Sequence, residues 1–123
     1  MGEKRLKARR FEDLEVWQNA HQVALEVYRC TRGFPAEEKF GLVQQMRRAA
    51  VSVPANIAEG FRRRTRLDKA RFYNMAQGSL EELRYYLILG CDLGFIKSDS
   101  ALAGDLDRVA RLLHALTVAV SPP

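Results

Sequence analysis

The sequence has no long apolar run, and none of its segments approaches the ~20 residues that a membrane-spanning helix needs. It also has no stretch of alternating apolar and polar residues bounded by turn residues, so no β-strand is predicted. The basic N-terminus has no apolar segment behind it and does not fit a secretory signal. We therefore expect a cytoplasmic helical protein with no membrane partner.

Histidine and cysteine, two common catalytic and metal-binding residues, are scarce, because the chain has only two of each. The residues three before the histidines are Gln18 and Arg111, so the Glu-x-x-His motif of di-iron bundles is absent. Cys30 and Cys91 are not part of a Cys-x-x-Cys pair, so a zinc site shared with the two histidines is only a weak alternative. We expect both cysteines to be buried in helix interfaces as small apolar residues. We predict no enzyme, no metal and no cofactor.

Apolar residues recur at spacings of three and four in four segments, which is the pattern of amphipathic helices. Start and stop residues suggest these bounds: Asp13 to Gly33, Pro35 to Gly60, Thr65 to Gly94, and Ser98-Asp99 to Val120. The fold class predicted is all-α, an antiparallel up-and-down four-helix bundle over residues 11–120. A basic arm over residues 1–10, expected to be flexible, precedes it, and a tail over 121–123 follows.

Three features of the second and third helices lead to further predictions about their structure. Pro54 removes a backbone hydrogen bond and should kink the second helix. Thr65 and Asp68 resemble a capping box at the start of the third. Gly78 and Ser79, in the middle of the third helix, are small enough to allow close helix packing.

The run Tyr85-Tyr86-Leu87-Ile88-Leu89 is apolar around the whole helix. A single small bundle buries only one face of each helix, so another subunit is expected to cover the rest. The candidate oligomer interface consists of Tyr85, Tyr86, Ile88 and Leu89.

The net charge of +5 is unevenly distributed. Residues 1–10 hold five Lys or Arg against one Glu, residues 62–71 hold six against one Asp, and the remainder is therefore net acidic. Arginine-rich segments attract polyanions, although a solvated surface or a salt-bridged subunit contact is an equal alternative. The candidate nucleic-acid-binding residues are Arg47, Arg48, Arg62, Arg63, Arg64, Arg66, Lys69 and Arg71, with Phe61 and Tyr73 as possible stacking partners for unpaired bases. No standard base-reading motif is present, so binding would be led by phosphate contacts.

Five motifs in order carry a family resemblance: FEDLEVWQ at 11–18, FP with FGL between 34 and 42, QMRRAA at 45–50, SVPANIAEG at 52–60 and GSLEEL at 78–83. They resemble the four-helix bundle family named after open reading frames in intervening sequences of bacterial large-subunit ribosomal RNA genes. The resemblance covers about residues 11–96. One departure is the segment 67–72, where the family usually has Lys-Glu-Phe and this chain is more basic.

The resemblance implies a bacterial, cytoplasmic bundle that forms ring-shaped homopentamers and has no known catalytic residue. A related group is similar to the accessory proteins of diversity-generating retroelements, which bind nucleic acid and a reverse transcriptase. Our leading hypothesis is therefore a homo-oligomeric accessory protein that binds RNA or DNA. The alternative is a structural or protein-interaction module without a nucleic-acid role.

Overall fold

The computed structural model describes residues 7–98 and 100–121, and these ranges contain helices and no strand. The α-helices are α1 (Glu15–Thr31), α2 (Leu42–Arg62), α3 (Arg66–Asp92) and α4 (Leu102–Val120). Short 3-10 helices at Phe11–Asp13 and Ala36–Glu38 precede α1 and α2. None of the helices within the described ranges is both long and apolar enough to cross a bilayer. The predicted all-α class is confirmed.

Side-chain contacts fix how the long helices α2, α3 and α4 run. The hydroxyls of Ser52 on α2 and Ser79 on α3 lie 2.7 Å apart. Nearer the turn between the two helices, Gly60 of α2 packs against Tyr73 of α3. The residue numbers therefore rise on one helix as they fall on the other, which makes the pair antiparallel.

The contacts between α3 and α4 follow the same rule. Gln77 donates to the hydroxyl of Thr117 at 3.3 Å, and Arg84, seven residues further along α3, pairs with Asp107. Helix α1 packs on α2 and α4, and no Cα atom of α1 comes within 8 Å of one in α3, its diagonal neighbour. This arrangement confirms the predicted bundle.

The core is formed by one face of each helix, as the spacings predict. The apolar residues that recur at spacings of three and four along α2 are all buried, and Met46 and Ile57 have no solvent-accessible surface. They are Leu42, Met46, Ala49, Val53 and Ile57. Full burial of an apolar side chain of this size contributes about 1.5–3 kcal/mol. The buried residues of the two following helices include Tyr73, Ala76, Leu80, Leu83 and Leu87 on α3 and Leu102, Leu106, Val109 and Leu113 on α4.

The predicted start of α2 at Pro35 is wrong. Pro35 has an extended backbone and precedes the 3-10 helix Ala36–Glu38, and α2 begins only at Leu42. The Glu38 carboxylate accepts a hydrogen bond from the Leu42 N–H at 3.3 Å. The Glu38 side chain thus satisfies one of the free N–H groups at the start of α2. A proline, which has no N–H group to satisfy, is therefore not required at the first turn.

The predicted cap of α4 at Ser98-Asp99 is also wrong. The helix begins at Leu102, whose N–H donates to the Ser100 hydroxyl at 3.2 Å, while Asp99 lies outside the described residues. Two signals on α3 are confirmed as its start and stop. The Thr65 hydroxyl accepts from the Asp68 N–H at 3.1 Å, which is one of the two hydrogen bonds of the predicted capping box, and α3 stops just before Gly94, whose φ of +81° is easily adopted only by glycine. Asp13, predicted to cap α1, instead ends the 3-10 helix before it, and the N-cap of α1 is Leu14.

Two glycines behave differently from their predictions. Gly60 does not end α2, which continues to Arg62. The Tyr73 ring packs on the backbone of this glycine. Gly78 does not provide close packing within the bundle, since an added Cβ there would meet nothing within 4 Å. Helix α2 also continues through Pro54, and the bend expected at that residue stays a prediction.

The basic arm predicted for residues 1–10 is described only in part, since residues 1–6 lie outside the described ranges. The N–H groups of Arg9 and Arg10 donate to the Asp13 carboxylate at 3.1 and 3.2 Å. These hydrogen bonds favour the charged carboxylate and lower the pKa of Asp13. The end of the arm is thereby tied to the short helix before α1.

Candidate nucleic-acid interface

The tight junction between α2 and α3 concentrates positive charge at one end of the bundle. Helix α2 ends at Arg62, α3 begins at Arg66, and the three residues between them include the Thr65 cap. We call the basic residues at this junction the arginine corner. They are Arg62, Arg63, Arg64, Arg66, Lys69 and Arg71. All five arginines of the corner are exposed to solvent.

Two of the corner arginines are held by contacts within the bundle. Arg63 pairs with Glu59, and its guanidinium carbon lies 4.6 Å from the centroid of the Phe72 ring. Arg71 lies 4.8 Å from the same ring and 4.0 Å from an Asp68 carboxylate oxygen. Exposed ion pairs contribute little to the stability of the fold. Here they offset the charges of Arg63 and Arg71, and the Phe72 ring holds both side chains in place.

Lys69 has a structural role at the end of α2. Its Nζ donates to the carbonyl of Phe61 at 2.6 Å and to that of Gly60 at 3.4 Å. These carbonyls belong to the last turn of α2, where carbonyl groups lack partners within the helix, and that of Gly60 also accepts from the Arg63 N–H at 3.2 Å. Removal from water lowers the pKa of Lys69. The lysine therefore caps α2 and joins it to α3, a function that the sequence pattern did not reveal.

The other three corner residues have no such partners in the part of the chain that the structure describes. Within residues 7–98 and 100–121, no carboxylate lies within 4 Å of the guanidinium groups of Arg62, Arg64 or Arg66. They are exposed and lie beside the Thr65 cap of α3. Lys69 joins α2 to α3 at the same place. Their charge is therefore available to a ligand from solution.

The aromatic residues predicted to stack on bases do not suit that role. Tyr73 is only 2% exposed because it packs against Gly60, and burial raises the pKa of its hydroxyl. Phe61 is half-buried, with the Lys69 ammonium 5.4 Å from its ring centroid. Stacking by Tyr73 is thus excluded, and the corner offers mainly positive charge.

Arg47 and Arg48 lie away from the corner. Arg48 precedes Arg62 by 14 positions on the same helix, which corresponds to about 21 Å. Arg47 donates to the Thr31 hydroxyl at 2.9 Å and to the Tyr28 carbonyl at 3.3 Å, and it stacks on the Tyr28 ring at 4.5 Å. It thus fastens the end of α1 to α2, whereas Arg48 is exposed.

The four candidate interface residues on α3 divide into two pairs. Tyr85 and Ile88 point outward and are 57% and 58% exposed. Tyr86 is half-buried and donates to the Glu82 carboxylate at 2.8 Å, and Leu89 packs against the core. The bundle therefore accounts for Tyr86 and Leu89 and leaves Tyr85 and Ile88 uncovered.

The cysteines and histidines do not converge. In the part of the chain that the structure describes, no three His, Cys, Asp or Glu side chains are grouped as metal ligands would be. No Cα atom of α1 lies within 8 Å of a Cα atom of α3. Cys30 on α1 and Cys91 on α3 are therefore too far apart to form a disulfide. Burial raises the pKa of the Cys30 thiol, so that thiol is less reactive than a free one.

The geometry defines a four-helix bundle protein with a cationic corner. The family model described as "23S rRNA-intervening sequence protein" matches residues 12–115, and the chain belongs to that family. The resemblance seen in the sequence motifs is thereby confirmed.

One solved structure supports the fold independently of the family model. It is a protein with unknown function from the S23 ribosomal protein family from Bacteroides thetaiotaomicron, 23% identical to this chain. The match covers 84% of this chain and 95% of that one with a TM-score of 0.77, so the two share a fold. No curated protein matches the chain.

Proposed function

We propose that this chain is a non-catalytic, homo-oligomeric accessory protein that binds nucleic acid through the arginine corner. The observation that carries the proposal is the exposure of Arg62, Arg64 and Arg66 without a carboxylate partner among the described residues. A guanidinium group pairs with a phosphate through two parallel hydrogen bonds, which makes these side chains suitable for a polyanion. The family is named for the place of its reading frames within ribosomal RNA genes, so we propose RNA and DNA alike as that polyanion.

The chemistry of the corner also suggests how selective the binding is. A corner that supplies charge but no free aromatic face contacts phosphates, which carry no sequence information. We therefore propose weak sequence preference and strong dependence on salt. A reverse transcriptase, suggested by the related retroelement proteins, is a second proposed partner in a larger complex.

The test is a titration of labelled single-stranded RNA, structured RNA and duplex DNA across a series of salt concentrations. Replacing Arg62, Arg64 and Arg66 by alanine should weaken binding to all sequences alike. It should also reduce the slope of log K against log [salt] by about 2–3, because each lost phosphate contact removes about 0.7–0.9. A binding constant that is insensitive to salt contradicts the proposal.

A matched control separates the corner from net charge. Arg29, Arg32 and Arg111 are exposed arginines elsewhere on the bundle, and their triple alanine variant removes the same charge. We expect this variant to retain most of the affinity. Equal losses in the two triple variants would show that the corner has no special role.

We further propose that α3 contributes Tyr85 and Ile88 to a contact between subunits. The two side chains lie outside the core, and association would remove their apolar surface from water. Light scattering should give a mass that is a multiple of the 14.0 kDa chain, with the pentamer as our specific proposal. Glutamate at positions 85 and 88 should lower that mass, whereas Val118→Glu, a control at an exposed site on α4, should not.

The second candidate function is a protein-interaction module without a nucleic-acid role. It is favoured by the corner residues that already serve the bundle, since Arg63, Lys69 and Arg71 have partners within it. If the Arg62, Arg64 and Arg66 variant changes the mass of the assembly but not its affinity for RNA, this second function is the better one. The same pair of measurements therefore decides between the two.

A further inference from the structure

A second surface feature lies on α2 at a distance from the arginine corner. It is an open groove of about 830 Å³ between the end of α1, the first half of α2 and the middle of α3. We call it the α2 groove. Its walls include Tyr28, Phe40, Val51, Arg48 and Glu82.

The apolar part of the α2 groove is unusually exposed for a small bundle. Phe40 is 81% exposed, the highest value of any large apolar side chain in the described ranges, and Tyr28 and Val51 are also exposed. The three line one groove rather than being scattered over the surface. Aromatic side chains grouped in this way are typical anchors of protein interfaces.

The charge of the α2 groove is positive. Lys39, Arg47 and Arg48 line it, against one carboxylate, that of Glu82. Glu82 already accepts a hydrogen bond from Tyr86. Among the residues that the structure describes, Arg47 donates to a hydroxyl and a carbonyl and forms no ion pair, so no carboxylate there offsets its positive charge. For the groove as a whole, an acidic ligand is the complementary one.

The apolar wall of the groove favours a protein ligand over a nucleic acid. The Arg47 guanidinium lies 4.5 Å from the centroid of the Tyr28 ring and the Lys39 ammonium 5.4 Å from that of Phe40, so positive charge lies directly beside apolar surface. Val51 adds an aliphatic surface, which suits a leucine or phenylalanine side chain better than it suits a phosphate or sugar.

Polar groups along the groove would serve such a ligand. Gln44 and Gln45 supply exposed amides, and the hydrogen-bonded hydroxyls of Ser52 and Ser79 form part of the wall. Pockets that combine apolar surface with a few oriented polar groups are the usual form of a binding site. We propose that the α2 groove binds an acidic segment of a partner protein, anchored by large apolar side chains that pack separately on Phe40 and on Val51.

The experiment selects from a displayed library of random peptides of about 15 residues, a length that spans about 22 Å as a helix. The target is the full-length wild-type protein. Enriched peptides should be net acidic and contain a leucine or an aromatic residue. No enrichment, or enrichment of basic or uncharged peptides, overturns the proposal.

The best peptide is then synthesised with a fluorescent label and titrated against variants. Phe40→Ala and Arg48→Glu, both at exposed positions, should each weaken binding about tenfold or more. Arg64→Glu at the arginine corner should leave peptide affinity unchanged, whatever its effect on RNA. Undiminished binding to Phe40→Ala contradicts the site.

Two further measurements on the same variants identify other occupants. If Phe40→Ala lowers the mass of the assembly, the groove holds a second copy of the chain. If Phe40→Ala and Arg48→Glu each weaken RNA binding about tenfold or more relative to the wild type, it holds nucleic acid. Either result overturns the proposal, and neither depends on the outcome of the corner experiment.

Discussion

Replacing Gly60 by alanine should destabilise the bundle, although alanine is the better helix former. Gly60 lies within α2, where the ring of the buried Tyr73 rests on its backbone. A Cβ at this position would lie 2.5 Å from Cε1 and 2.8 Å from Cδ1 of that ring, and 3.1 Å from Cβ of Phe72. Carbon atoms in contact normally lie about 3.5–4.0 Å apart, so the added methyl group overlaps the ring by about 1 Å.

The magnitude follows from two opposing effects. Overpacking of a tight contact costs about 1–3 kcal/mol, and the upper half of that range applies because Tyr73 is enclosed on all sides. The gain in helix propensity from glycine to alanine is about 1 kcal/mol. The expected net loss is therefore about 1–2 kcal/mol in the free energy of unfolding, or roughly 4–10 °C in Tm.

Urea unfolding followed by circular dichroism measures this loss, and Gly78→Ala is the matched control. Gly78 also lies within a long helix, but an added Cβ there would meet nothing within 4 Å. That substitution should stabilise the protein by about 0.5–1 kcal/mol, because only the propensity term remains. If Gly60→Ala is as stable as the wild type, the packing of Tyr73 on Gly60 is not as tight as described.

Three further perturbations test other contacts. Thr31→Val removes the buried hydroxyl that Arg47 donates to at 2.9 Å, and chemical denaturation should show a loss of about 1–2 kcal/mol. Full stability in that variant would mean that Arg47 does not hold α1. Because burial raises the pKa of Cys30, iodoacetamide should alkylate it, in a Cys91→Ser background, only at higher pH than it alkylates the cysteine of an unstructured peptide. A rate profile equal to that of the peptide would refute the burial of Cys30. Ser52→Ala should cost about 1 kcal/mol by leaving the Ser79 hydroxyl unpaired, and the double variant with Ser79→Ala should cost less than the sum of the two single changes.

The helical pattern could be read from the sequence wherever burial alone decides it. The inner face of α2, from Leu42 to Ile57, and that of α4, from Leu102 to Leu113, follow directly from spacings of three and four. Local signals were correct where a side chain bonds its own helix, as Thr65 does, or where the backbone needs positive φ, as at Gly94. They failed at Pro35 and at Ser98-Asp99, because other residues, Glu38 and Ser100, supply the hydrogen bonds there.

The arginine corner shows the same division for the candidate site. Its charge and its place between two helices could be predicted from residues 62–71. Which of its members are available to a ligand could not, because that depends on Glu59, Phe72 and the end of α2. These contacts join residues on two helices, and periodicity within one helix carries no information about them.

By itself the sequence determined the class of fold, the family and the location of positive charge, because apolar periodicity, motif order and composition are properties of the chain. Only the tertiary structure decided that Lys69 caps α2, that Arg47 fastens α1, and that Tyr73 is buried. It also brought Phe40 and Val51 together in one groove with Arg48. The physical reason is that a side chain's partners are set by how the helices pack, and that packing places residues distant in sequence within bonding distance.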